Sequence, residues 1–223
     1  MNRDTLSGEF MNTIENNNFM SKKQLLLNVI FCFCFIGFLS VSLQAQPVTE
    51  SEESIFTDLK IALEYKGQVK HLNLSNQKLK KIPKEVFEFP NLRTLNLSNN
   101  KITEIPKEIG LLTKLEELNL TKNKIDELPK EIGKLTRLLV LKFRNNGLFA
   151  LPKEIGELGR LETVDFNGNP LWRLPEEFRK CSNLKFMDIR NTEIDKNEFT
   201  YIKTMFPSVE IFFTDGCNCG PGN

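Results

Sequence analysis

The chain has 223 residues, with 30 Lys and Arg against 29 Asp and Glu and a formal net charge of +1 at neutral pH. A length of this order predicts one or two domains. The balanced charge excludes a strong net field, so we expect neither a nucleic acid partner nor electrostatic attraction to an acidic membrane.

Residues 1–45 are predicted to be a secretory signal peptide with an upstream extension. Two lysines precede an apolar segment, residues 25–41, and the small residues that end at Ala45 permit cleavage there. Residues 1–19 are acidic where a signal peptide is usually basic, which makes Met20 an alternative start. The apolar segment is nearly long enough to cross a bilayer, so an uncleaved anchor is the alternative and would be the only expected contact with a membrane.

Residues 46–68 are predicted to form a linker and an N-terminal capping helix, the helix covering residues 54–65. Apolar residues recur in this segment at helical spacing and stop before Gly67. These residues are Phe56, Leu59, Ala62 and Leu63. Such a helix would cover the exposed end of the repeats that follow.

Residues 69–194 contain six copies of one 23-residue phrase. The copies begin at Val69, Leu92, Leu115, Leu138, Leu161 and Leu184. Positions 4 and 6 of every copy are apolar, and this alternation of period two predicts a short strand with one buried face. From position 15, Pro-Lys-Glu and an apolar residue recur, a pattern typical of the first turn of a short helix. Gly110, Gly133 and Gly156 are expected to let these helices close tightly.

A period and spacing of this kind mark the leucine-rich repeat. The predicted fold class is α/β, a leucine-rich repeat solenoid or horseshoe with helical caps. Its parallel β-sheet lines the concave side and its short helices lie on the convex side. Side chains at positions 3, 5 and 7 of each copy would point outward from the sheet, and we call this surface the sheet face.

In this fold family, position 9 of each copy places a side-chain amide inside the turn that leaves the strand. A buried turn needs such a partner because an unsatisfied buried polar group costs roughly 1–3 kcal/mol. The predicted structural amide ladder consists of Gln77, Asn100, Asn123, Asn146 and Asn169. Thr192 holds this position in the last copy, which indicates that the solenoid ends there.

Residues 195–214 are predicted to form a C-terminal cap. Asp195 and Glu198 match a capping box, so a helix should begin there and end at Pro207. Val209, Ile211 and Phe213 alternate as a last strand would.

Three cysteines follow the predicted signal peptide. Cys181 falls at an apolar position of its repeat and is expected to be a buried, inert thiol. Cys217 and Cys219 lie in residues 215–223, which are predicted to be a flexible tail. A disulfide within so short a loop would be strained. Idle thiols are the default there, and an intermolecular or labile disulfide is the alternative.

The phrase L-x-x-L-x-L-x-x-N, followed by Leu-Pro-Lys-Glu-Ile-Gly, resembles the secreted leucine-rich repeat proteins of pathogenic spirochaetes. The resemblance implies a non-enzymatic, secreted or surface-associated module that binds host proteins or glycans. It supplies no family-wide binding residues. The aromatic fourth and fifth copies and the Cys-x-Cys tail depart from the family pattern, which puts the identity of the partner in doubt.

Two surfaces are predicted to bind a partner. In the first half the sheet face is small and neutral, whereas in the second half it is charged and varied. The predicted contact residues are Lys142, Arg144, Asp165, Asn167, Phe186, Asp188 and Arg190. The alternative is a solvated face whose charges pair only with each other.

The second surface is a loop-flank patch of two aromatic residues, Phe149 and Trp172, which replace polar residues at position 12. If exposed, they would form an interaction patch. It would serve a partner or a weak homodimer. The alternative is that both rings fold down over the turn.

The leading prediction is an exported binding module, secreted or at the cell surface, that recognises a protein or glycan and contributes to adhesion or host interaction. The alternative is a structural envelope protein, periplasmic or at the outer surface, that binds the cell's own components. The sequence shows no catalytic pair, metal cluster or phosphate-binding loop, so we expect neither an enzyme nor a cofactor.

Overall fold

The computed structural model describes residues 54–214. The predicted signal peptide and the thiols Cys217 and Cys219 lie outside these residues. Within residues 54–214, no helix is both long enough and apolar enough to cross a membrane.

Eight short strands form one parallel sheet in chain order. The strands are β1 (Ile55–Phe56), β2 (His71–Asn73), β3 (Thr94–Asn96), β4 (Glu117–Asn119), β5 (Val140–Lys142), β6 (Thr163–Asp165), β7 (Phe186–Asp188) and β8 (Glu210–Phe212). From β2 to β7, each residue pairs with its equivalent one repeat later, as Leu95 does with Leu118. The predicted leucine-rich repeat solenoid is confirmed.

The core lies directly behind this sheet. The middle residue of each strand from β2 to β7 is buried while its neighbours are partly exposed or, at Asp188, buried by other contacts. Position 6 residues such as Leu120 and Phe143 are also fully buried. The two-residue alternation of the sequence therefore separates a continuous apolar core from the sheet face.

Five 3₁₀ helices lie opposite the sheet, where short helices were predicted. They are Lys84–Glu88, Lys107–Leu111, Lys130–Lys134, Lys153–Glu157 and Glu176–Lys180. Each follows a proline whose carbonyl accepts the first hydrogen bond, for example from the Ile109 N–H to the Pro106 oxygen at 3.0 Å. Segments of five residues favour this tighter helix, because an α-helix would leave most of their backbone groups unpaired.

Glycines at position 19 allow successive 3₁₀ helices to stack closely. A Cβ atom on Gly156 would lie 2.3 Å from the Glu177 carbonyl oxygen, and one on Gly133 would lie 2.7 Å from the Glu154 carbonyl oxygen. Their role is thus the close approach of the next repeat, rather than closure of their own helix.

The N-terminal cap differs from the single helix predicted over residues 54–65. Ile55 and Phe56 form β1, and only Leu59–Glu64 form a helix, α1. Asp58 begins α1 because its side chain accepts a hydrogen bond from the Lys60 N–H at 2.7 Å. The start of the predicted helix is wrong because the open edge of β2 offers backbone hydrogen bonds that an extended segment satisfies.

The C-terminal cap consists of helix α2, Lys196–Met205, and strand β8. Asp195 begins α2 by accepting a hydrogen bond from the Glu198 N–H at 2.8 Å. In a complete capping box, the Glu198 side chain would also accept a hydrogen bond from the Asp195 N–H. This part of the prediction is wrong, because Glu198 Oε1 instead accepts from the Leu174 N–H at 3.2 Å. Glu198 therefore ties the cap to the fifth repeat.

Candidate interaction surfaces

The amide ladder fixes the turns from which both candidate surfaces project. Asn123 Oδ1 accepts from the Ile102 N–H, and its Nδ2 donates to the carbonyls of Leu97 and Leu120, all at 3.0 Å. Asn100, Asn146 and Asn169 bond in the same way across the boundary between repeats. The ladder is confirmed for these four residues.

The first and last copies depart from the ladder. Gln77 is exposed, and its Nε2 donates to the Thr57 carbonyl at 3.1 Å in the N-terminal cap. The prediction of a buried amide is therefore wrong at Gln77, which has no preceding repeat beneath it. Thr192 Oγ1 donates to the Ile189 carbonyl at 2.8 Å and provides one of the bonds that asparagine makes elsewhere.

Each strand exit also depends on a left-handed residue at position 8, which the sequence analysis missed. Its φ angle lies between 54° and 71° in all six copies. The residues are Asn76, Asn99, Lys122, Asn145, Gly168 and Asn191. Asparagine and glycine tolerate this region best, so their recurrence just before the position 9 amide was the available signal.

The first half of the sheet face is locally self-satisfied. At position 5, Asn73, Asn96 and Asn119 each accept a hydrogen bond from the N–H two residues later, at 3.1, 3.0 and 3.0 Å. Their amide oxygens are thus committed to the backbone. At positions 5 and 7 this half therefore presents small, neutral side chains, and Glu117 at position 3 is its one carboxylate.

The fourth copy interrupts this pattern. Lys142 has no oxygen to accept from the Arg144 N–H, and its Nζ instead lies 2.6 Å from Glu117 Oε1. Arg144 is exposed two residues later. Lys142 and Arg144 therefore place two basic groups on the sheet face, as predicted.

Beside them, Asp165 restores the turn. Its Oδ1 accepts from the Asn167 N–H at 3.0 Å. Partial burial raises the pKa of this carboxyl, and the negative charge of Asp188 acts in the same direction. The Asn167 hydrogen bond and the two nearby arginines, Arg144 and Arg190, oppose this effect.

Two predicted contact residues are buried. Asn167 and Asp188 are only 2% and 3% exposed, so the expectation that they face solvent is wrong. Asn167 Nδ2 lies 3.2 Å from Asp188 Oδ2, and Arg190 closes over the carboxylate with distances of 2.9 and 2.6 Å. Burial raises the pKa of Asp188, but the hydrogen bonds from Arg190 outweigh it and hold the pKa below its usual value. Asp188 thus acts as a support for Arg190.

Above Asp188, two aromatic rings and Arg190 form one cluster. The Phe186 and Phe212 ring centroids are 5.1 Å apart, and the Arg190 guanidinium carbon lies 5.3 Å from the Phe212 centroid. Phe212 is 36% exposed at the outermost strand, β8. The alternation of Val209, Ile211 and Phe213 predicts the strand but assigns no role to Phe212 between them. An aromatic residue on the outward face of that alternation was the available signal.

Both rings of the loop-flank patch are exposed to solvent. Phe149 and Trp172 are 47% and 48% exposed. The Arg173 guanidinium carbon lies 4.3 Å from the Trp172 ring centroid. The alternative in which both rings fold over the turn is therefore wrong, whereas a binding role for the patch stays a prediction.

The arrangement of potential metal ligands and the state of Cys181 are the remaining chemical features of the described residues. Among the described residues, no group of three or more His, Cys, Asp or Glu is placed to hold a metal ion. Cys181 is buried, as expected, and its Sγ lies 3.3 Å from the Ile155 carbonyl oxygen. Burial raises the pKa of this thiol to about 12, which makes it unreactive near neutral pH.

Comparisons with known proteins agree with the fold. A family model described as leucine rich repeat matches residues 67–125. No curated protein sequence matches the chain. A solved leucine-rich repeat protein of Leptospira interrogans is 35% identical, with a TM-score of 0.57 over 68% of this chain. The chain spans 45% of the length of that structure. Internalin C2 of Listeria monocytogenes is 20% identical, with a TM-score of 0.58 over 73% of this chain and 69% of its own.

Proposed function

Starting from this leucine-rich repeat solenoid, we propose an exported, non-enzymatic binding module that takes a protein partner on the C-terminal half of its sheet face. The proposal of export rests on the predicted signal peptide and on the resemblance to secreted spirochaete proteins. The identity to the Leptospira protein supports that resemblance. Adhesion to a host protein or glycan is the role that this combination favours.

The observation that carries the proposal is the cluster of Phe186, Phe212 and Arg190 on a rigid parallel sheet. Aromatic and arginine side chains dominate the binding energy of protein interfaces when they are fixed before binding. Here Arg190 is fixed by its paired bonds to Asp188, and the two rings are fixed against each other. The cluster therefore pays little conformational entropy when a partner covers it.

The charges beside this cluster add selectivity. Lys142 lies three strands away from Phe212 in one row of paired residues, separated from it by Asp165 and Asp188, and Arg144 follows Lys142 by two residues. A partner that reaches across β5 to β8 would need acidic groups opposite the lysine and arginine and an apolar group opposite the rings. Complementarity of this kind sets the rate and specificity of association more than its affinity.

The test is a solid-phase binding assay with the full chain, against purified extracellular matrix proteins and sulfated glycans. We expect saturable binding to a protein that weakens by roughly tenfold or more in the Lys142→Glu/Arg144→Glu and Phe186→Ala variants. Lys130→Glu/Lys153→Glu is the matched control, because it makes the same charge change on exposed residues of the 3₁₀ helices.

If the control variant loses as much binding, the effect depends only on the net charge of the protein. That result would overturn the assignment of binding to the sheet face. If the chain binds sulfated glycans but none of the proteins, the proposed partner is a glycan and not a protein. Binding only to components of the cell's own envelope, together with protection from external protease on intact cells, would favour the structural envelope protein instead.

A further inference from the structure

The loop flank, formed by positions 10–17 of the repeats, changes character along the solenoid. At position 12 the second, third and sixth copies carry Thr103, Asp126 and Asp195, whereas the fourth and fifth carry Phe149 and Trp172. Both rings are about half exposed on adjacent repeats. Single exposed apolar residues are ordinary, but two in register form a patch with the composition of an interface anchor.

The backbone beneath this patch is also different. In four places a position 10 N–H donates to the position 11 carbonyl of the preceding repeat, with bonds of 2.7 to 2.9 Å. The donors are Lys101, Lys124, Gly147 and Glu193. Pro170 has no N–H, so the Leu148 carbonyl lacks this bond at the boundary between the two aromatic repeats. The loops beneath the patch therefore lack the backbone hydrogen bond that joins neighbouring loops at the other four boundaries.

An acidic recess adjoins the patch. A recess of about 450 Å³ opens between the second and third copies and is lined by four carboxylate residues and one lysine. These are Glu104, Glu108, Asp126, Glu127 and Lys107. The recess and the patch lie on neighbouring repeats, because Asp126 and Phe149 occupy position 12 of successive copies and the Gly147 N–H donates to the Ile125 oxygen between these copies at 2.8 Å.

This charge distribution disfavours a second copy of the chain as the occupant. A two-fold dimer brings identical patches together, and an axis that passes between the fourth and fifth copies, perpendicular to the stack, places the third copy of one chain opposite the sixth copy of the other. Asp126 and Glu127 would then face Glu193 and Asp195 of the same sequence. Like charges opposed across an interface are unfavourable, whereas a basic segment would neutralise the recess.

We propose that the loop flank is a second interaction surface, which binds a polypeptide segment carrying an apolar residue next to lysine or arginine. The apolar side chain packs on Phe149 and Trp172, and the basic side chain enters the recess beside Asp126 and Glu127. This surface acts independently of the sheet face, since it uses none of the residues of the Phe186, Arg190 and Phe212 cluster.

The test is selection of displayed random peptides on the full chain, with counter-selection on a Phe149→Ser/Trp172→Ser variant. We expect enriched peptides that combine an aromatic or aliphatic residue with neighbouring lysine or arginine. In fluorescence anisotropy, Trp172→Ala should weaken their binding by roughly tenfold or more. Glu104→Gln/Glu127→Gln should weaken it less and reduce its dependence on salt.

Leu111→Ala is the matched control, because Leu111 is a single apolar side chain, 65% exposed, on a 3₁₀ helix. It should leave peptide binding unchanged, and circular dichroism should show that Trp172→Ala remains folded. Enrichment of neutral or acidic peptides, or of none, would overturn the proposal. Concentration-dependent dimers that dissociate in Trp172→Ala would also overturn it and make a second copy the occupant.

Discussion

In the first three repeats the sheet face carries asparagines at position 5, whose amide oxygens accept hydrogen bonds from the backbone, and serine or threonine at position 7. In the later repeats it carries Lys142 and Arg144 and ends in the cluster of Phe186, Arg190 and Phe212. The backbone is the same in both halves, with one register and one amide ladder. Their difference shows that the repeat specifies a scaffold, and the binding surface we propose lies where the side chains depart from the repeat.

The largest expected effect concerns the part of the scaffold that both halves share. Asn123→Ala should lower the free energy of unfolding by about 2–3 kcal/mol, because it leaves one N–H and two carbonyls without their partner. Gln77→Ala should cost less than about 1 kcal/mol, since Gln77 is exposed and water replaces its bond. Chemical denaturation measures both, and equal losses would contradict a ladder whose strength depends on burial.

The next effect compares how tightly the two halves stack. Gly156→Ala should destabilise the protein by about 1–3 kcal/mol, because its Cβ would meet the Glu177 carbonyl oxygen at 2.3 Å. Gly110→Ala should cost less, about 1 kcal/mol or below, because the nearest carbonyl oxygen, that of Glu131, is 3.2 Å away, the nearest atom belongs to the flexible Lys134 side chain, and alanine favours a helix. Thermal unfolding of the two variants would decide the order, and a larger loss at Gly110 would contradict this account.

A smaller effect would convert the second half toward the first. Lys142→Asn should stabilise the protein by about 0.5–1 kcal/mol, since the new amide oxygen can accept from the Arg144 N–H as Asn119 does from Thr121. The lost pair with Glu117 is exposed and contributes little. Lys142→Ala is the control, because it removes the same pair without adding an acceptor. If the two variants are equally stable, the hydrogen bond from the Arg144 N–H to the new amide oxygen does not contribute to stability.

The smallest effect is a pH dependence on the sheet face. Because the pKa of Asp165 is raised in the folded protein, its ionised form costs stability at pH values above that pKa. Asp165→Asn should therefore be more stable near neutral pH, by less than about 1 kcal/mol because solvent screens the half-buried charge. The gain should fade as the pH falls through the folded pKa. Unfolding measured across that range would show it, and a gain that grows in acid would contradict the raised pKa.

Much of the fold follows from the sequence because each copy repeats the same spacing of apolar residues, asparagine and proline. The period predicted the strands, their register, the amide ladder and the place of the helices, whereas it left open whether Phe149 and Trp172 are exposed. At the ends, where no repeat lies beyond, the same reasoning failed. The strand β1, the exposure of Gln77 and the half-formed capping box at Asp195 all arise there.

The sequence by itself determined that this chain stacks six repeats around a leucine core, because the spacing of apolar residues allows one way to bury them. Tertiary structure alone decided which polar residues on the sheet face remain available. Asn167 and Asp188 follow the outward pattern yet are buried, because Arg190 closes over the carboxylate and Asn167 packs against it. The exposure of a side chain depends on the conformations of side chains in the adjacent repeat. The alternation of apolar and polar residues within one strand does not determine those conformations.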